Sequence, residues 1–184
     1  MMKLKTIYLF GLLAFIFSCN STSNLEGDNP ANETGNYFFD FDELIHYRIE
    51  IDENVLLQKE DDKNISPEEQ LQIDLIIMDE PNSINDTSFV AELEKIGFEK
   101  NQIEKNQFEK INEIFKEKEV DEAIAYACIA VYRDILIFKK NNKITGMAKI
   151  CFSCDQNRMY GTPANTVNFG QEGDYAKLNK ILNK

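Results

Sequence analysis

The chain has 184 residues, with 20 Lys and Arg against 32 Asp and Glu, a formal charge of −12, and 43% hydrophobic residues. That apolar share is ordinary for a folded protein and excludes a collagen-like, mucin-like or wholly disordered chain; the length suits one domain with a modest core. Arg occurs only at positions 48, 133 and 158, so nucleic acid is not an expected partner, because phosphate recognition needs clustered basic side chains.

The N-terminus reads Lys3-Leu4-Lys5, then an apolar or small run from Thr6 to Phe17, then Ser18-Cys19. Early Lys followed by about a dozen apolar residues fit the n- and h-regions of a secretory signal. The run is shorter than the roughly 20 residues that a stable membrane span needs. Ile16-Phe17-Ser18-Cys19 resembles the lipobox of bacterial lipoproteins, in which a small residue precedes an invariant Cys. The resemblance implies that residues 1–18 are removed and that Cys19 becomes an acylated N-terminus. Loss of Lys3 and Lys5 would leave a formal charge of −14, which anionic headgroups repel. Attachment is then expected through lipid alone. Asn20, in place of an inner-membrane Asp signal, points to the outer membrane. The acidic run that exports some lipoproteins to the cell surface is missing from residues 20–24, so the expected orientation is toward the periplasm.

Residues 19–36 are polar and rich in Asn, Ser, Thr and Gly, which predicts a flexible tether before a single globular domain over 37–184. Ile45, Tyr47, Ile49 and Ile51 recur at every second position, the strand period, within 43–51. Ser66-Pro67-Glu68-Glu69 has the signature of a helix start, with Ser as N-cap and Glu at the capping-box position, and the helix is expected to end before Pro81. Asp86 or Thr87 opens a short helix carrying Phe89, Leu93 and Ile96, with Gly97 at its end. A third helix is expected over 105–118, its Lys and Glu face solvated.

The clearest element is the run from Arg133 to Lys139, followed by turn chemistry at Lys140-Asn141-Asn142-Lys143 and a second apolar run from Ile144 to Phe152. Asn tolerates positive φ, so the two Asn suit a two-residue hairpin loop. The continuous apolar run 135–138 suggests a strand covered on both faces, in mid-sheet. A further strand is expected over 123–131 and a closing helix over 174–182. The fold class is thus α+β: a small, mainly antiparallel sheet centred on the 133–152 hairpin, with three or four short helices packed on it.

With Cys19 acylated, Cys128, Cys151 and Cys154 remain. An oxidising compartment favours a disulfide, and three thiols leave one over. A bond from Cys128 to Cys151 or to Cys154 would close a loop worth about 3 kcal/mol in chain entropy. The Cys151-Phe152-Ser153-Cys154 spacing also admits a redox pair, although residues i and i+3 of a strand face opposite ways and such a bond needs a turn. A third alternative is a Cys₃His metal site that adds His46, the sole His. Against it stand the compartment and the lack of a second close ligand pair. Catalytic patterns are thin: there is no Gly-x-Ser-x-Gly elbow, no phosphate loop and no EF-hand spacing. Arg133-Asp134 reads as a local salt bridge, with a buried pair or a recognition feature as the alternative.

The stretch from Cys128 through Tyr132-Arg133-Asp134, the apolar hairpin and Ile150-Cys151-Phe152-Ser153-Cys154 also resembles a pattern of uncharacterised exported bacterial proteins. Phe169-Gly170-Gln171 and Asp174-Tyr175 to Leu182 fit the same pattern. It implies a fold unit and no activity. The expectation is a non-enzymatic envelope protein without cofactor, bound to the membrane by its lipid, that binds a protein partner or plays a structural role; the alternative is a thiol-based redox or metal-handling lipoprotein.

Overall fold

In the computed structural model, which describes residues 36–60, 62, 64–119 and 127–183, the apolar run expected at mid-sheet is the central strand of five. The strands are β1 (Glu43–Arg48), β2 (Glu99–Gln102), β3 (Asp134–Lys140), β4 (Lys143–Cys151) and β5 (Gln156–Tyr160). Their order is β2-β1-β3-β4-β5, and every neighbouring pair is antiparallel. Among the described residues, four helices complete the α+β fold: α1 (Glu53–Glu60), α2 (Pro67–Ile76), α3 (Phe108–Ile114) and α4 (Asp174–Leu182). Expectations for residues 1–18 and for 19–36, Cys19 included, lie outside the described residues apart from Asn36.

The β3–β4 hairpin turns as its sequence requires. Lys140 pairs with Lys143, and Asn141 and Asn142 take φ of 50° and 62°. Both central residues of a type I′ turn need positive φ, and the twist of that turn matches the strands it joins.

Because side chains alternate along a strand, β3 feeds two cores. Leu136 and Phe138 join Leu44, Ala148 and Ile150 against Ile111 and Ile114 of α3 and Tyr175 and Leu178 of α4. Ile135 and Ile137 join Ile45, Tyr47 and Met147 against Leu56 of α1 and Ile73, Leu75 and Ile76 of α2. Phe38, Phe39, Phe115 and Phe169 fill the first core. The entering chain is held there by a Phe38 N–H bond to Phe115 O at 2.8 Å. Gly146 lets Phe39 lie flat on the sheet, since a Cβ at that position would run into the Phe39 ring.

The capping box at α2 is complete. Glu69 N–H donates to Ser66 Oγ at 3.2 Å, and Ser66 N–H donates to Glu69 Oε2 at 2.9 Å. Such a cap contributes about 1 kcal/mol. The helix stops at Ile76, short of Pro81. Phe89, Leu93 and Ile96 are buried as their spacing suggested, but the segment is a 3₁₀ turn over Ser88–Ala91 followed by turns, not an α-helix. The third helix is likewise shorter than 105–118, running only from Phe108 to Ile114 after a 3₁₀ turn.

The side chain of Lys118, expected on a solvated face, is instead covered in an ion pair with Asp174 at the start of α4. An acid in the first helical turn also complements the helix dipole. Of the strand expected over 123–131, residues 127–131 are not strand and 123–126 lie outside the described residues.

Candidate functional site

Strand β4 ends at Cys151, residues 152–155 turn, and β5 starts at Gln156, which pairs with Cys151. Asp155 takes φ of 48°, a left-handed conformation that Asp accepts more readily than most residues. The turn brings Cys154 to the segment that leads into β3. There it pairs with Cys128 as a disulfide, Cα to Cα 6.3 Å, closing a sequence separation of 26 residues. This is one of the pairings that the sequence left open.

Among the described residues, Cys151 is the free thiol, 1% exposed. Its sulfur accepts from Val131 N–H at 3.3 Å and lies 3.3 Å from Ser153 Oγ. Cys154 Sγ sits 3.5 Å from the carbonyl oxygen of Ile129, two residues before Val131. Gln156 Nε2 donates to the Cys128 carbonyl at 2.9 Å and to Cys128 Sγ at 3.3 Å. All three sulfurs therefore touch one short segment, residues 128–131, and the turn that faces it. A free thiol and a disulfide thus lie against the same stretch of backbone.

His46 is not part of that cluster. It is fully buried on β1, and its Nε2 donates to Asp134 Oδ1 at 2.7 Å. Arg48 Nη1 approaches the same carboxylate at 3.2 and 3.3 Å. His46 pairs in register with Leu136, and Asp134 with Ile150, so these side chains share one face of the sheet. Cys151, next to Ile150, points to the other face. The four residues of the metal alternative, His46, Cys128, Cys151 and Cys154, are thus not brought together. Among the described residues, no group of three or more His, Cys, Asp or Glu could hold a metal ion.

Asp134 also departs from the expected local pair with Arg133. Its partners come from the neighbouring strand, while Arg133 donates to Ile51 O at 3.2 Å and approaches Glu53 at 3.9 Å. Adjacent residues at a strand start face opposite ways, which separates the two side chains.

Lys149 went unread in the sequence. It is fully buried on β4, and its Nζ donates to the carbonyls of Met78 and Glu80, both at 2.7 Å. The ammonium also lies 4.7 Å from the centroid of the Tyr132 ring. Burial lowers its pKa to about 7, and Arg158 pushes the same way; Asp79, Glu80 and Asp74 oppose them. A cation inside the apolar run 144–152 was the signal to notice, since a lone buried Lys must find acceptors. Elsewhere, a groove of about 660 Å³ between α3 and α4 is lined by Ile114, Ile181, Lys110 and Lys180 among others, and includes neither His46 nor any cysteine.

No family model matches the chain, and no curated protein or solved structure matches it either.

Proposed function

We propose that this is a lipid-anchored cell-envelope protein. Residues 1–18 are removed, Cys19 is acylated, and the domain faces the periplasm from the outer membrane, where it binds a protein partner or plays a structural role without catalysis. The lipobox-like Ile16-Phe17-Ser18-Cys19 supports the anchor. The observation that carries the reading is the Cys128–Cys154 pair, because such bonds persist outside the cytosol and are rare within it. An inventory of side chains points the same way: the sole imidazole is committed to Asp134 inside the sheet, away from solvent.

Fractionation tests the anchor. The wild-type chain should sediment with membranes and partition into detergent, and Cys19→Ala should move most of it to the soluble fraction. Equal membrane retention of the two proteins would refute the acyl anchor.

A further inference from the structure

We propose that Cys128, Cys151 and Cys154 form an internal thiol–disulfide relay, in which the buried Cys151 displaces Cys128 from Cys154 and so delivers a solvent-facing thiol to a disulfide of a partner protein. The three positions have distinct roles. Cys151 is the attacking sulfur, already placed beside the segment that holds the disulfide by its contact with Val131 N–H. Cys154 is the central sulfur, three residues along and across the turn. Cys128 is the leaving sulfur; Gln156 Nε2, 3.3 Å away, is placed to donate to the negative charge that develops on it.

The exchange balances. Cys151 gives up its proton, with the exposed Ser153 hydroxyl 3.3 Å away as a route to solvent. The Cys151 thiolate bonds to Cys154 Sγ, the Cys128–Cys154 bond breaks, and Cys128 leaves with the electron pair. One thiol and one disulfide stand on each side, so no external oxidant or reductant enters. In the second step the Cys128 thiolate attacks a partner's disulfide, forming a mixed disulfide and releasing one partner thiolate.

The turn between Cys151 and Cys154 supplies the kind of backbone that the product bond needs. Residues i and i+3 of a tight turn have Cα atoms within about 7 Å, and a disulfide needs roughly 4.4–6.8 Å. The turn at 152–155 removes the objection that strand residues i and i+3 face apart. Access is also ordered as a relay needs: Cys128 is exposed, whereas Cys151 is buried and shielded from outside reagents. The inference does not rest on acylation, since only these three sulfurs take part.

The test uses the full chain with Cys19→Ala, so that three sulfurs are scored. The folded, oxidised protein is held near pH 8 with N-ethylmaleimide, quenched in acid, and mapped by mass spectrometry without reduction. The relay predicts Cys128 alkylated together with a Cys151–Cys154 bond, and at least a ten-fold drop in Cys128 labelling for Cys151→Ser. It also predicts that Cys128→Ser, treated with oxidised glutathione, closes Cys151–Cys154. Cys128 labelling that is equal in wild type and Cys151→Ser would overturn the proposal. So would a Cys128→Ser chain that keeps both remaining thiols open under the oxidant that closes the wild-type bond. This second variant retains Cys151, so it decides the matter even if Cys151→Ser does not fold.

Discussion

Phe138→Ala should lower the unfolding free energy by about 3–5 kcal/mol, the range for deleting a fully buried aromatic side chain. Phe138 is 0% exposed on the central strand. Its ring stacks on Phe39 at 4.0 Å between centroids, and Phe41 and Phe115 meet it edge-on at 5.1 and 5.4 Å. Its removal leaves a void that three rings would have to fill together. The void cannot collapse easily, because Phe39 is already seated over Gly146, and Phe115 is held through its backbone to Phe38. Thermal unfolding should shift down by on the order of 10 °C for a domain of this size. Phe138→Leu, which keeps most of the volume, should lose about half as much or less. A Phe138→Ala loss below about 1 kcal/mol in urea unfolding would mean that this core is not packed as described.

The second large effect is a pH dependence. In the fold, Lys149 releases its proton near pH 7, because burial disfavours the ammonium. In the unfolded chain it keeps that proton to roughly pH 10.4. Between those values the unfolded state binds more protons, so the Lys149 contribution makes stability rise with pH. Below about pH 7 both states are protonated and the contribution is flat. From about pH 7 to about pH 9.5 the gain is on the order of 3 kcal/mol. Lys149→Met removes the titrating group, so its stability should rise by that much less over the same range. The comparison stops at about pH 9.5 because Tyr47, Tyr132 and Tyr160 have pKa values raised by burial and give the opposite slope once the unfolded chain's phenols begin to ionise, near pH 10. Urea titrations at several pH values provide the measurement. Parallel stability curves for the two proteins would contradict a neutral-shifted, buried Lys149.

What the sequence revealed depended on whether an element buries a periodic apolar pattern. The run from Ile135 to Phe138 announced a two-faced central strand because both alternate sets are apolar, and the Asn pair announced its turn. Ser66 and Glu69 announced a helix start through their own hydrogen bonds. β2 is the reverse case: Glu99–Gln102 is exposed at every position and belongs to the sheet mainly through backbone pairing with β1. A strand made by its neighbour leaves no mark in its own side chains. β5, another edge, is half exposed and similarly mute. α1 buries little beyond Leu56, too little to show a helical stripe. At the site, three thiols left three pairings open, and the turn at 152–155, which carries Cys154 to the segment before β3, decides among them. The union of His46, Arg48 and Asp134 was invisible because it depends on the β1–β3 register, a contact between residues 88 apart in sequence.

The most direct test of the functional account is the intact mass of the protein extracted from membranes of the cells that make it. The account predicts a chain that begins at Cys19, lacks residues 1–18 and carries the added mass of acyl groups on that cysteine. A chain that keeps those 18 residues, with an unmodified Cys19, would contradict it.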